Sequence, residues 1–319
     1  MTGTLMWQFV KWHKLIGDNL ADRFLRKPLP APSARDRQLE QALREELTRP
    51  SAATTLPTWV AFREQVRRDF DAYDPRTFLR WSIVQHSMCL TNSGAVVPEY
   101  LALRQSPQWS RYEPALEDPG VGDPVPFIYY PRSNGNLLHH CYHLMRFEEL
   151  TGRDLSQMEV IVEFGGGYGN MCALLHRLGF KGRYFIYDLP EFTALQRYYL
   201  ASLGFTLHTD GSTAPGVTLL SDLDALRAAL GTVSDQARRG FIATWSLSES
   251  PVELRERFLP LVESFDALLL AFQGGFYGVD NSEYFDQFRA RTQDRIQWTK
   301  KHLPQLPRNY YLFGKRTCR

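Results

Sequence analysis

From Val160 to Asn170 the chain reads VIVEFGGGYGN, an apolar run stopped by an acid and followed by four glycines within five residues. Glycine gives up more backbone freedom on folding than any other residue, so such a cluster marks a place where something must pass close to the main chain. Glu163, Gly165, Gly167 and Gly169 make an E-x-G-x-G-x-G pattern, with Gly166 inside it, between a strand pattern and a helix start. Such a loop presents backbone N–H groups without side chains. A dinucleotide fingerprint, G-x-G-x-x-G, would need a third glycine at the position of Asn170, and a phosphate-binding loop would need Gly-Lys-Ser/Thr, which has no counterpart here. Glu163 would repel a pyrophosphate and suits a positively charged ligand. Asp188 ends the next strand pattern, GRYFIYDLPE, nineteen residues after Gly169. A carboxylate there accepts hydrogen bonds from both hydroxyls of an unphosphorylated ribose. One acid for a cation and one for a ribose describe S-adenosyl-L-methionine, a sulfonium joined to adenosine.

Three of the eight histidines fall in HHCYH. The stretch NGNLLHHCYHLMRFEELTG, Asn134 to Gly152, reads as one helix closed by a glycine. Its apolar face holds Leu137, Leu138, Cys141, Leu144 and Met145. A period of 3.6 sets His139, His143 and Arg146 opposite that face, with His140 at its flank beside Phe147. A hydroxyl nucleophile needs a base, and histidine is suited to the task near neutral pH. His140 and His143 are the histidine candidates, and Glu249, in TWSLSES, is the carboxylate candidate. Glu249 has an alternative role as a cap on the helix that follows. His139 and His143 are spaced like a metal pair, but no carboxylate completes a recognised pattern, so no metal is expected.

The elements around these residues alternate. Strand patterns VIVEF, RYFIY, GVTLL, GFIAT, ALLLAF and NYYLF are separated by helical ones at about 170–178, 190–203, 252–263 and 281–299. Such alternation implies a mostly parallel sheet with helices on both faces, which binds ligands beyond the carboxyl ends of its strands. The expected division is an N-terminal helical region at 1–126, serving as lid, dimer contact or acceptor recognition, and a cofactor-binding domain at 127–319. By position, Leu189, Ser221 and Asp222 belong beside the cofactor. Trp245, Ser246 and Ser248 follow the fourth strand, with Trp245 expected at the cofactor too.

Three blocks in order, VEFGGGYGN, FIYDLPEF with LQRYYLASLG, and FIATWSLSE, resemble class I S-adenosylmethionine-dependent methyltransferases, and more narrowly the sugar O-methyltransferase group. The resemblance covers roughly residues 130–319. It implies a seven-stranded, Rossmann-like α/β sheet with Glu163, Gly165, Gly167 and Gly169 along the methionine and ribose of the cofactor and Asp188 on the ribose. It also implies that the fourth strand's carboxyl end faces the transferable methyl. The expected reaction is methylation of a sugar hydroxyl on a surface polysaccharide, glycolipid or glycosylated metabolite, with Ser246, Ser248, Gln273 and Tyr277 contacting the carbohydrate acceptor. The rival readings are methylation of a non-sugar small molecule, a nucleotide-dependent oxidoreductase and a non-catalytic cofactor-binding protein.

Composition narrows the partners. A net charge of +2 on 319 residues gives no basic surface of the kind nucleic acid requires, so no nucleic-acid partner is expected. The four cysteines, Cys89, Cys141, Cys172 and Cys318, are scattered and form no C-x-x-C pair, which suits buried thiols in a reducing compartment. No apolar stretch reaches the ~18 residues of a membrane span, and a cytoplasmic location is expected. Residues 1–25 form an amphipathic pattern, with Leu5, Phe9, Trp12, Ile16 and Leu20 at helical spacing. That helix is expected to pack on the body or on a homodimer partner, or alternatively to rest on the inner face of a membrane.

Overall fold

In the computed structural model, which describes residues 3–49, 56–208 and 212–317, all five side chains of VIVEF are buried, as a central parallel strand requires. This strand, β1 (Val160–Phe164), is joined in one sheet by β2 (Arg183–Tyr187), β3 (Leu207–His208), β4 (Gly216–Leu220), β5 (Arg239–Thr244), β6 (Ala267–Gln273), β7 (Ile296–His302) and β8 (Asn309–Arg316). The spatial order is β7-β8-β6-β5-β1-β2-β4-β3. β1 pairs in parallel with both β2 and β5, and β8 runs antiparallel to both β6 and β7. The architecture is a Rossmann-like α/β sheet of eight strands rather than seven, with chain order reversing at β1.

Twelve helices surround it: α1 (Gly3–Phe24), α2 (Ala34–Leu47), α3 (Pro57–Ala72), α4 (Ser82–Ser87), α5 (Val96–Gln105), α6 (Trp109–Ala115), α7 (Gly135–Thr151), α8 (Asn170–Arg177), α9 (Pro190–Ser202), α10 (Leu223–Gly231), α11 (Val252–Phe258) and α12 (Asn281–Thr292), among the described residues. Strand alternation divides the core. Val160, Val162 and Phe164 pack toward α10, α11 and α12, whereas Ile161 faces the side of α7, α8 and α9. The second side is shared with the N-terminal region: Leu43, Val66, Phe70, Phe78 and Leu103 belong to the same apolar cluster as Leu138, Met171 and Leu195. A buried ion pair, Arg63 to Glu191, and Arg67 to the same carboxylate at 2.8 Å, tie α3 to α9.

Three expectations change. The helix at 281–299 stops at Thr292, because Ile296–His302 pairs with β8 along seven residues and the Trp298 ring packs over Gly314. The helix at 252–263 stops at Phe258, where Pro260 removes a donor and a short 3-10 turn takes over. α7 has no polar face at His139 and His143, which are 3% and 0% exposed, because α5 and β8 cover that side. Gly152 closes α7 in the left-handed region, as the sequence implies, and Asn134 caps its start through its side chain on the Leu137 N–H. On α1, Gly17 and Ala21 pack inward, while Trp12, Leu15, Leu20 and Phe24 face outward. Cys318 and the side chains of Leu5 and Phe9 lie outside the described residues. No helix among the described residues is long and apolar enough to cross a membrane.

Candidate active site

A cavity of about 790 Å³ opens beyond the carboxyl ends of β1, β2, β4 and β5, where the chain order reverses. Its floor is the glycine loop. Gly165, Gly167 and Gly169 take φ of +71°, +57° and +98°, which an L side chain rarely adopts. A Cβ on Gly165 would stand 2.1 Å from the Ser246 Cβ, and one on Gly166 would stand 2.7 Å from the Ile186 Cγ2. The loop is therefore bare for two reasons, its own conformation and the elements behind it.

Two carboxyl groups border the floor. Glu163 is 2% exposed and accepts a hydrogen bond from the Tyr184 hydroxyl at 2.8 Å. Burial pushes its carboxyl up to about 8, and Asp188 nearby adds to the rise. Asp188 accepts from the Leu189 N–H at 2.8 Å and from the Gln196 amide at 2.7 Å, and also from the N–H groups of Gly166 and Gly167. Burial still outweighs these bonds and holds Asp188 at about 7. No ion pair to either carboxylate exists among the described residues. Gln196, unremarked in the sequence, also donates to the Gly167 carbonyl at 3.0 Å, so it clamps loop and acid together. Leu189, Ser221 and Asp222 line the cavity, as do Trp245 and Ser246. Asp222 also caps α10 through the Ala225 N–H, and Ser246 donates to the Phe164 carbonyl.

The catalytic candidates separate. Glu249 lines the cavity, accepts from the Gln273 amide at 3.0 Å, and is raised to about 7 by burial. Among the described residues its carboxylate bonds no N–H of α11, so it does not cap that helix, and its backbone carbonyl receives the Trp59 indole N–H from α3 at 3.3 Å. His140 lines the cavity too. Its Nδ1 accepts from the Asn170 amide at 3.0 Å, which leaves the proton of the neutral ring on Nε2. Burial, aided by His139, depresses His140 to about 3. His143 does not line the cavity: its Nδ1 is bonded to the Tyr311 hydroxyl at 2.5 Å, and its Nε2 is buried without a partner. The reason is the register of α7, which turns His143 toward β8.

Of the expected acceptor contacts, Ser248 is 1% exposed and bonds the Trp245 carbonyl and Gln273, and Gln273 in turn holds Glu249. Both stand behind the wall. Tyr277 lies outside the lining, 63% exposed on the small hairpin after β6. Residues the sequence did not single out complete the wall: Trp59 from α3, Met88 to Leu90 after α4, Asn136 from α7 and Asn309 on β8, together with His139, which the sequence noted only for its metal-like spacing. Trp245 has a φ of +64°, unusual for its type, and is pinned by its N–H on the Ala271 carbonyl and its indole on Asn309, both at 2.7 Å. No group of three or more metal-ligating side chains able to hold an ion exists among the described residues.

No protein-family profile matches the chain, and no curated protein matches it. Solved structures do. The ribosomal protein L11 methylase from Lactobacillus delbrueckii subsp. bulgaricus is 16% identical over 57% of this chain and 80% of its own, with a TM-score of 0.38. Magnesium protoporphyrin IX methyltransferase from Synechocystis PCC 6803, with bound S-adenosylhomocysteine, is 11% identical over 69% and 99%, also at 0.38. A methyltransferase of Podospora anserina is 11% identical over 84% and 100%, at 0.35. A likeness this loose says nothing about what the chain binds; that must come from the chemistry of the site.

Proposed function

We propose that the protein is an S-adenosylmethionine-dependent methyltransferase that methylates a hydroxyl of a carbohydrate. The observation that carries the reading is the pair of buried carboxyl groups, Glu163 and Asp188, at a bare glycine loop, raised to about 8 and about 7 and matched by no cation among the described residues. Such a floor is complementary to a cationic ligand with a diol. Glu163 and the loop N–H groups would hold the amino-acid portion, Asp188 the ribose, and Leu189, Ser221 and Asp222 the adenine. The cofactor supplies a methyl group already activated on a sulfonium, so the protein's work is alignment and exclusion of water. Calorimetry tests this: S-adenosylmethionine should bind with micromolar affinity, about −8 kcal/mol, and NAD should not bind. Tight NAD binding without S-adenosylmethionine binding would refute the reading. Replacing Asp188 by alanine should weaken cofactor binding by about 1.5–3 kcal/mol, through loss of charged hydrogen bonds and release of the glycine loop.

The acceptor end supports a polyhydroxylated substrate. Trp59 and Trp245 offer aromatic surface, and Asn136, Glu249 and Asn309 offer both donors and acceptors around it. The N-terminal region closes this end through Trp59 and Met88 to Leu90, the role of a lid. Glu249 is placed to accept a hydrogen bond from an acceptor hydroxyl once ionised. In Glu249→Gln, turnover on the preferred glycan at saturating S-adenosylmethionine should fall about 10-fold or more, and the part of its pH dependence near 7 that Glu249 contributes should disappear, leaving the cofactor-binding dependence set by Asp188. A panel of mono- and oligosaccharides with methyl release followed by mass spectrometry provides the measurement. Methylation of non-sugar phenols or acids alone would move the assignment to another small-molecule class.

A further inference from the structure

Beside the cavity stands a histidine–carboxylate pair that spans the two parts of the chain. His139 on α7 has its Nδ1 2.9 Å and 2.8 Å from the two carboxylate oxygens of Glu99 on α5. Glu99 is 1% exposed and His139 3%. The Gln305 amide donates to Glu99 Oε1 at 2.8 Å, which fixes the carboxylate from its other side. The His139 ring lies over the Trp245 indole, with centroids 5.4 Å apart and planes 26° from parallel. His139 lines the cavity, and no protein group bonds its Nε2 among the described residues.

We propose that His139 is the proton acceptor of the reaction and that Glu99, brought in by the N-terminal region, is its positioning residue. The assignment rests on the methyltransferase reading. An ionised carboxylate only accepts hydrogen bonds, so the neutral imidazole must place its proton on Nδ1 and turn a free Nε2 lone pair elsewhere. A buried carboxylate behind a histidine holds the ring in one tautomer and orientation and stabilises the imidazolium as it forms. His140 has the opposite arrangement, its Nδ1 taken by Asn170, and His143 is shut in against Tyr311. His139 is therefore the member of the triplet that offers the cavity an unprotonated nitrogen. The balance is simple. The acceptor oxygen forms its bond to the methyl carbon as the S–C pair returns to sulfur, and the hydroxyl proton passes to His139 Nε2, from which water later removes it. The N-terminal helices are then part of the catalytic apparatus and not only a cover.

The test is histidine tautomer measurement by nitrogen NMR on the full-length protein labelled with 15N-histidine, with His139 assigned by its loss in His139→Gln. The wild type should show His139 protonated at Nδ1. In Glu99→Gln, the single amide oxygen is drawn to Gln305 and the amide N–H₂ faces His139, so the tautomer should switch to Nε2–H. Turnover on an accepted glycan should fall about 10²–10⁴-fold in both variants, with KM and S-adenosylhomocysteine affinity within about threefold of wild type, and Glu99→Asp should restore part of the rate. A wild-type His139 protonated at Nε2 overturns the proposal. So does a Glu99→Gln protein that switches tautomer yet keeps its kcat. Calorimetry on the same samples separates the two levels: no binding of S-adenosylmethionine by the wild type rejects the methyltransferase reading itself, whatever the tautomer.

Discussion

S-Adenosylmethionine should bind at least about 10²-fold more tightly at pH 8 than at pH 5.5, because binding a cation here requires two carboxyl groups to lose protons. Asp188 and Glu163 sit at about 7 and about 8, and burial is the main cause for each. At pH 5.5 both are neutral, and each pH unit below its midpoint withholds about a factor of ten from the affinity for a ligand that needs the ionised form. S-adenosylhomocysteine lacks the sulfonium charge and should show a shallower rise. Glu163→Gln should remove the upper part of the slope, leaving the part near 7. The same groups give the fold an opposite dependence. Their native values lie above the ordinary carboxylate range, so their contribution to stability is complete below about pH 4 and is lost as pH rises through 7 and then 8. The cofactor-free protein should therefore melt at a lower temperature at pH 8 than at pH 5.5, and S-adenosylmethionine should recover most of the difference at pH 8. Calorimetry across that range, with melting curves in parallel, measures both. An affinity independent of pH would mean that neither carboxyl meets the ligand.

What could be read in advance follows from how far apart the interacting residues lie. The glycine loop, Glu163 and Asp188 are each local: a strand, a tight turn and the residue after the next strand, so sequence order alone places them together. The glycine that closes α7, Gly152, is local in the same sense. The histidines were harder. His139 sits opposite the apolar stripe of α7, where solvent is expected, yet α5 covers that side and supplies Glu99 from forty residues away. Neither the covering nor the pairing leaves a mark in the 3.6-residue period. Gln196 is missed for a related reason, since a buried polar residue on α9 looks like any surface glutamine until the Gly167 carbonyl and Asp188 are found against it. β7 escapes because IQWTKKH is the polar edge of the sheet and continues a helical pattern without a proline or glycine to stop it. The N-terminal third brings Trp59 and Met88 to the cavity and Glu99 to His139 singly and with no spacing rule, so only the folded chain gathers them.

Replacing Gly135 by alanine should destabilise the protein by about 3 kcal/mol, although the same change in an ordinary helix stabilises by about 0.5–1 kcal/mol. Gly135 is the first residue of α7, and its φ is not the reason for glycine there. The segment at Leu90 and Thr91 crosses the helix start at backbone contact: a Cβ would lie 1.6 Å from the Thr91 carbonyl oxygen and 2.1 Å from that of Leu90. Both obstacles are main chain, so no rotamer change relieves them, and the crossing segment or the helix must move. Gly231, the last residue of α10, supplies the contrast, since a Cβ there meets nothing within 4 Å and its φ is not positive. Gly231→Ala should be neutral or slightly stabilising. The crossing also seats Met88 to Leu90 in the cavity wall one turn before His139, so Gly135→Ala should weaken S-adenosylhomocysteine binding as well as stability, whereas Gly231→Ala should leave it unchanged. Urea denaturation of the two variants, each with and without S-adenosylhomocysteine, makes the comparison. Equal stability of both would show that the crossing segment yields freely and does not hold α7 against the site.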